Sequence, residues 1–466
     1  MLDDDSLLNV FYLYRPFLLG EDDDNSFQLI GGRKWDHGLW WYNLAHVCQR
    51  WRNVILGSVA YLGVSLVCTN GAPVANMLAH SPPLPLLIDY SLGENDDLTA
   101  EDEEGVILAI RQYARVRRIR LLMPAITLQK LIAAIDEEYP ILEYLIIGHL
   151  GKDRSIILVF PETLQAPHLR HLALLGFGLP TGSRLLATAV GLVTLFLVMF
   201  RPSTYFHPTT LLQWVSFMPQ LETLFIEFSF PIPDRDVERQ ITHTPVTPVT
   251  LPNLHFFKLQ GARAYLEALV HQIITPRLEK LEIAFFNQPT ISVPRLRQFI
   301  NIAENLRFKS AKFKFLGSGV VGTVYPNEEV KIPTLSIAVN GCHLDWQVFS
   351  VAQIFNFLSP MFSAVEHLSL EYWVHSQSSE EHNEADHTEW LKLLMSFRNL
   401  KVLRIAAGLV EELSLCLQPD DGELPLEFLP ELQELTFSGS GNTGDAFTSF
   451  VNARQKAGCP ITLVRL

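Results

Sequence analysis

Cysteine is scarce in this chain. Five cysteines (Cys48, Cys68, Cys342, Cys416 and Cys459) are spread through 466 residues, with no two close in sequence. Without a C-x-x-C pair, the sequence offers neither a disulfide framework nor a structural zinc site. The thiols read as reduced, buried groups of an intracellular protein. Charge is sparse as well. Charged residues make up 18% of the chain against 48% hydrophobic, which excludes a disordered polyelectrolyte and leaves ample material for a core. The formal net charge is −14, whereas a nucleic-acid binder presents a basic face. No nucleic-acid partner is therefore expected.

A membrane-spanning segment is also missing. Residues 185–200 (LLATAVGLVTLFLVMF) are almost wholly apolar, but they stop short of the roughly 20 residues a spanning helix needs. The opening Met1-Leu2-Asp3-Asp4-Asp5 is acidic where a signal peptide is basic. No membrane association is expected, and the expected location is cytoplasmic or nuclear.

Catalytic constellations are absent too. There is no G-x-S-x-G elbow and no H-E-x-x-H pair. Gly317-Ser318-Gly319-Val320-Val321-Gly322-Thr323-Val324 matches the glycine-rich loop of protein kinases. That loop works only with an H-R-D segment, a D-F-G segment and a strand lysine, and none of these is present. The stretch reads as a turn between repeat strands. His375, His382 and His387, with Glu380, Glu381, Glu384 and Asp386, have no recognised metal spacing and read as a solvated loop. The chain is expected not to be an enzyme, with no catalytic residue, no metal and no cofactor.

What the sequence does have is repetition. An L-x-x-L-x-L pattern, with other apolar residues substituting, starts at Val116, Leu142, Leu169, Leu192, Leu221, Leu254 and Leu278. Further copies begin at Ile332, Val365, Leu400 and Leu432, with a degraded copy at Ser310. The starts lie about 29 residues apart, near the spacing of leucine-rich repeats. In such a strand the leucines point inward and the intervening residues outward. Amphipathic helical stretches lie between the copies: Leu128, Leu131, Ile132 and Ile135 share one face, as do Leu266, Leu269, Val270 and Ile273. One helix-strand unit cannot bury its own apolar face, so neighbours must stack. The asparagine usual after the strand is mostly missing, and only Asn340 fits, so this is an irregular variant. Residues 91–104 read as an acidic surface loop, and 231–252 and 375–387 as surface insertions.

The N-terminal segment differs. Residues 43–56 (NLAHVCQRWRNVIL) place Leu44, Val47, Cys48, Trp51 and Ile55 on one helical face, with Asn43 as N-cap. A short helix is expected to begin near Asp4 or Asp5. Asp4-Asp5-Ser6-Leu7-Leu8-x-Val10-Phe11 resembles the opening helix of an F-box, and Leu44-Ala45-x-Val47-Cys48-x-Arg50-Trp51-Arg52 resembles its later L-x-x-V-C-x-x-W-R helix. Leu66-Val67-Cys68-Thr69 and His80-Ser81-Pro82-Pro83-Leu84-Pro85-Leu86 are similar to the stretch that joins F-box to repeats in fungal (basidiomycete-type) F-box and leucine-rich-repeat proteins. The usual Leu-Pro ahead of the first helix is replaced by Leu2-Asp3.

The resemblance implies a substrate-recognition subunit of a Skp-cullin-F-box ubiquitin ligase. Its F-box would dock a Skp-type adaptor and the cullin complex, and its repeats would hold a protein substrate. The adaptor-facing candidates it implies are Leu7, Leu8, Phe11, Leu44, Val47 and Trp51. The alternative is a repeat-based scaffold in which the N-terminal helices only cap the array.

The expected fold class is therefore α/β: an irregular leucine-rich-repeat solenoid, with parallel strands on a concave face and helices on the convex face, behind an N-terminal all-α F-box-like segment. The expected boundaries are 1–60 for that segment, 61–115 for a connecting strand, the SPPLPL stretch and a capping helix, and 116–466 for the repeats. Outward strand positions supply the candidate substrate surface: Arg118, Arg120, Tyr144, His171, Phe196 and Phe225. The surface continues through Phe256, Lys258, Lys280 and Arg404. Its mixed charge favours a protein partner.

Overall fold

The structure is a computed structural model that describes residues 2–14, 40–93, 98–149, 156–231, 248–286, 292–303, 305–340, 343–373, 387–418, 428–438 and 445–465. It divides into two compact units, Met1–Phe206 with Gln213–Thr223, and His207–Leu212 with Leu224–Leu466.

Among the described residues the first unit opens with four helices, Asp4–Tyr14, Trp40–Ala45, Gln49–Gly57 and Val59–Leu62. The single helix expected over 43–56 is broken. Cys48 is extended (φ −160°, ψ 166°), and its Sγ accepts from the Trp51 N–H at 3.4 Å. Cys48, and not Asn43, therefore caps the second stretch, a weak but sufficient acceptor for an orphan N–H. Arg52 Nε spans the break by donating to Ala45 O at 3.1 Å.

Eight strands follow among the described residues: β1 (Leu66–Thr69), β2 (Leu86–Ser91), β3 (Val116–Met123), β4 (Tyr144–His149), β5 (Leu158–Val159), β6 (His171–Leu175), β7 (Phe177–Gly178) and β8 (Thr194–Met199). β1, β2, β3, β4, β6 and β8 lie side by side and run parallel, while β5 and β7 pair separately. The register aligns the repeat pattern, with Ile119 opposite Leu145, Leu145 opposite Leu172, and Leu172 opposite Leu195. All four side chains are buried. Parallel neighbours need long crossovers, which helices such as Ala100–Ile110 and Ala125–Ile132 provide.

Two findings differ from the sequence reading. Parallel pairing begins at Leu66, well before the first L-x-x-L-x-L copy, because Leu86, Ile88 and Tyr90 alternate inward without that spacing. The acidic stretch 91–104 is not all loop. Thr99 Oγ1 accepts from Asp102 N–H at 3.1 Å and starts the helix Ala100–Ile110, whose first turn carries Glu101, Asp102 and Glu103. Acidic groups there complement the helix dipole. Residues 185–200 fold as the helix Arg184–Thr188 followed by β8, and among the described residues no helix is long and apolar enough to cross a membrane.

The second unit holds β9 (Thr223–Phe228), β10 (Val249–Thr250), β11 (Phe256–Gly261), β12 (Ile273–Ile274), β13 (Lys280–Phe286), β14 (Ser310–Leu316), β15 (Gly319–Tyr325), β16 (Leu335–Asn340), β17 (His367–Trp373), β18 (Val402–Ile405), β19 (Glu434–Phe437) and β20 (Thr462–Arg465). Its sheet runs β9-β11-β13-β16-β15-β14-β17-β18-β19-β20, with β10 and β12 paired apart. Strand order here departs from chain order. β16 pairs with β13 and β14 with β17, both in parallel, while β15 lies between β14 and β16, antiparallel to each.

The kinase-like stretch is thus a two-residue hairpin turn, Gly317-Ser318, closed by the Leu316 and Gly319 pair. Its glycines serve packing. A Cβ on Gly319 would lie 2.7 Å from Val339 O, and one on Gly322 would lie 2.7 Å from Phe313 Cε1. Beneath this sheet the aromatic rings interlock, with Phe313 4.7 Å from Phe355, Phe315 5.2 Å from Trp390, and Phe355 4.9 Å from Phe362. The first two meet edge-on and the third is stacked, and such contacts add to the burial of the rings.

Where an asparagine ladder is missing, other side chains tie one repeat to the next. Glu267 accepts the N–H groups of Arg295 and Leu296, Gln347 Nε2 donates to Leu316 O at 2.7 Å, and Arg454 donates to the carbonyls of Phe428, Pro430 and Leu432. The insertions expected at 231–252 and 375–387 lie mostly outside the described residues, as do His375 and His382. Only Val249–Thr250 in β10 and His387, at the head of a helix, belong to described elements.

Candidate interaction surfaces

The N-terminal helices form a small cluster of their own. Leu7 and Phe11 line one side of Asp4–Tyr14, and Phe11 meets Trp51 edge-on at 5.0 Å. Phe11 is 1% exposed, and Leu7, Ile55 and Leu62 are buried as well. Arg50 closes the outside, pairing with Asp4 at 2.8 Å and donating to Leu2 O at 2.6 Å. Trp41 Nε1 donates to Ser65 O at 3.1 Å and so ties the cluster to the head of β1.

This corrects two of the six adaptor-facing candidates. Leu7 and Phe11 are interior, because the pattern Leu7, Phe11 is the stripe on which the other helices pack. Leu8, Leu44 and Trp51 are half-buried, and Val47 stands 59% exposed in the break. The sequence reading passed over a second apolar stripe on the same helix. Val10, Leu13 and Tyr14 follow i, i+3, i+4 spacing and point outward, Leu13 being 82% exposed. Tyr42 and Tyr61 are also exposed, and Tyr61 packs against Tyr12 at 5.1 Å.

In the first unit the outer sheet face is largely closed. The Arg118 guanidinium lies 4.0 Å over the Tyr144 ring, Tyr144 stacks on His171 at 4.2 Å, and His171 Nδ1 sits 3.1 Å from Thr194 Oγ1. Burial, reinforced by the Arg170 and Arg118 charges, pushes the His171 pKa down to about 4. Its imidazole is neutral at ordinary pH. The neighbouring row (Asp89, Arg120, Ile146, Ala173 and Phe196) is buried throughout. Arg120 and Phe196 are therefore not surface positions. Arg120 is sealed because Asp89, on the earlier strand β2, lies 3.6 Å away and matches its charge. Phe196 is 2% exposed, on a strand buried at every position.

The second unit is different, and its strands β13, β14 and β16 alternate buried and open residues. Phe225 and Phe256, expected at the surface, are buried beneath cations. Lys258 Nζ lies 4.7 Å over the Phe225 ring and Lys280 Nζ 4.5 Å over the Phe256 ring. Both rings are buried, so the lysines are what a partner would meet. Lys258 and Lys280 share Glu282, at 3.4 and 2.9 Å, and Lys312 pairs with Glu371 at 2.8 Å. Arg404, half exposed, meets Glu328 at 3.3 Å. The sequence reading missed Lys312 and Lys314 because they lie in the degraded Ser310 copy.

Reactive chemistry is thin. Burial pushes the Cys68 thiol up to about 11 and the Cys416 thiol up to about 12, so neither ionises near neutral pH. Among the described residues no group of three or more His, Cys, Asp or Glu side chains is placed to hold a metal ion.

No protein-family model matches the chain. None of the curated proteins matches it either. Among solved structures it is similar to the crystal structure of a TLR13–ssRNA13 complex, with 12% identity and a TM-score of 0.31 over 86% of this chain. The chain spans 49% of that TLR13 chain. It is also similar to the leucine-rich repeat-containing protein LegL7 from Legionella pneumophila, with 10% identity and a TM-score of 0.26, over 83% of this chain and 97% of LegL7. Likenesses at these scores carry no argument of their own. The repeat architecture rests on the strand register and the buried leucines.

Proposed function

We propose that this chain is the substrate-recognition subunit of a Skp-cullin-F-box ubiquitin ligase. The helical cluster docks a Skp-type adaptor, and the repeats hold a protein substrate without catalysing a reaction. The observation that carries this reading is the pair of apolar surfaces on the cluster, Val10, Leu13 and Tyr14 on the first helix and Val47 in the break. Large apolar side chains left open on so small a helical cluster suit a partner's apolar groove. They occur where the sequence resembles an F-box. The test is capture of a Skp-type adaptor by the full-length chain. Leu13→Asp and Val47→Asp should each abolish capture while circular dichroism stays unchanged. Trp51→Ala is a poorer probe, because Trp51 packs on Phe11. No capture, under conditions where a known F-box protein binds, removes the ligase reading.

A second reading has an observation of its own. The Trp41 to Ser65 hydrogen bond fastens the cluster to the first strand, as a cap would be fastened. On that reading the chain is a repeat-based scaffold. Deleting residues 1–60 would then expose apolar surface and cause aggregation, with no adaptor ever captured.

A further inference from the structure

We propose that the outer sheet face of the second unit, from β11 to β18, holds an extended acidic segment of a protein partner. The proposal rests on the reading of the repeats as a protein-recognition surface, and it names the chemistry of what they recognise.

Outward positions on these strands carry Lys258, Lys280, Lys312, Lys314 and Arg404 against only Glu282 and Glu371. This cationic excess stands on a chain whose formal net charge is −14. Lys258 and Lys280 share the carboxylate of Glu282, Glu227 on β9 adds its charge beside Lys258, and Lys314, beside the Lys312–Glu371 pair, makes no ion pair among the described residues. The face already takes a carboxylate from outside its own strands. Glu328, in the loop after β15, reaches His367 Nδ1 on β17 at 2.8 Å and Arg404 Nη1 on β18 at 3.3 Å. The loop is turned toward them by Asn327, whose side-chain oxygen accepts the N–H groups of Glu329 and Val330.

The inserted hairpin sets the dimensions. It places Ser336, Ala338, Val321 and Thr323 between β13 and β14, a floor of small side chains separating Lys258 and Lys280 from Lys312, Lys314 and Arg404. Three strand spacings separate β13 from β14, roughly 14 Å, and six separate β11 from β18, roughly 29 Å. An extended peptide crossing the strands needs about nine residues for the whole span and about four between the cationic banks. At one edge Leu316 and Trp373 are paired in register and open to solvent, Trp373 being 63% exposed, which gives an apolar flank an anchor. Glu282, Glu371 and Glu328 interrupt the cations, so the surface suits carboxylates set apart along a polypeptide over the unbroken charge of a phosphate backbone.

The experiment uses the full chain and three fluorescein-labelled probes. One is a twelve-residue peptide with three glutamates at each end of an Ala/Ser spacer. The second carries lysines in place of the glutamates, and the third is a twelve-nucleotide single-stranded RNA. The glutamate peptide should bind at least tenfold more tightly than the lysine peptide and the RNA, and should weaken as salt rises. Lys314→Glu should weaken it about tenfold, with Lys280→Gln and Trp373→Ala each costing several-fold. Lys314→Glu breaks no ion pair, and Lys280→Gln adds no charge, so loss of fold does not mimic the effect in both. Equal or absent binding of the glutamate peptide, tighter binding of the RNA, or an unaffected Lys314→Glu variant overturns the proposal. Adaptor capture is measured on the same preparations. Capture without peptide binding rejects this proposal alone, and peptide binding without capture rejects only the ligase reading.

Discussion

Replacing Glu267 tests how these irregular repeats are joined. The helix Pro294–Ile302 starts without a cap of its own. Val293 stands at the N-cap with no side-chain hydrogen bond, and Pro294 has no N–H to offer. Glu267, in the preceding helix Arg263–Val270, supplies the cap, accepting from Arg295 N–H at 2.9 Å and Leu296 N–H at 3.0 Å. Each charge-assisted bond is worth about 1.5–3 kcal/mol, and the desolvation of a buried carboxylate takes back a large part. The net loss for Glu267→Ala is about 2 kcal/mol, local to this helix. That corresponds to about thirtyfold faster amide exchange. The assay is hydrogen exchange read by mass spectrometry on peptides covering 294–302. Exchange within threefold of wild type would refute the capping argument.

The sign of the pH dependence is fixed as well. Burial, the largest influence, raises the Glu267 pKa above its ordinary 4.5 despite the two backbone donors. The folded state therefore holds this proton more tightly than the unfolded chain. The resulting stability is fully present below the ordinary value and is lost as pH rises through the raised one. Corrected for intrinsic exchange, protection of 294–302 should fall across that window in wild type and stay flat in Glu267→Gln.

His171 gives the opposite sign. Its pKa is lowered to about 4 from 6.5, so its contribution is present above 6.5 and lost as pH falls toward 4. The urea midpoint of the first unit should drop over that interval and His171→Gln should flatten the drop; an imidazole resonance titrating near 6.5 would contradict the burial argument. Gly319→Ala should cost about 1–3 kcal/mol in urea unfolding, because the new Cβ meets Val339 O at 2.7 Å. An unchanged midpoint, together with thermal stabilisation of wild type by ATP, would restore the nucleotide-loop reading of residues 317–324.

The inward half of the fold was legible because it is periodic. Ile119, Leu145, Leu172 and Leu195 sit opposite one another, as their common place in the L-x-x-L-x-L pattern requires. Strand order is a different matter. The copies at Ser310 and Ile332 look alike in sequence, and nothing in their leucines says that the later one lies beside β13. One local signal was available. Two residues, Gly317 and Ser318, separate the inward run Ala311, Phe313, Phe315 from the inward run Val320, Gly322, Val324. A parallel crossover takes a dozen residues or more, so a two-residue link between alternating apolar runs can only be a hairpin. The helix break at Cys48 left no such trace, since its apolar spacing continues smoothly across the turn.

The outward half was legible in chemistry more than in position. Naming Arg120 and Phe196 as surface assumed that a residue between two inward leucines meets solvent. In the first unit those between-positions are Ile146, Ala173 and Phe196, apolar groups that belong in an interior, and the arginine among them is matched by buried Asp89. A strand apolar at both sets of positions is a strand buried on both faces. In the second unit the corresponding positions are Lys258, Glu282, Lys312 and Arg404, charged groups held in ion pairs, with the Lys258 ammonium over the Phe225 ring. The two units therefore differ in which face can meet a partner, and the difference is written in the residues between the leucines. A recognition surface in this chain is found by asking where those residues turn from apolar to charged, and on that criterion it begins at β11.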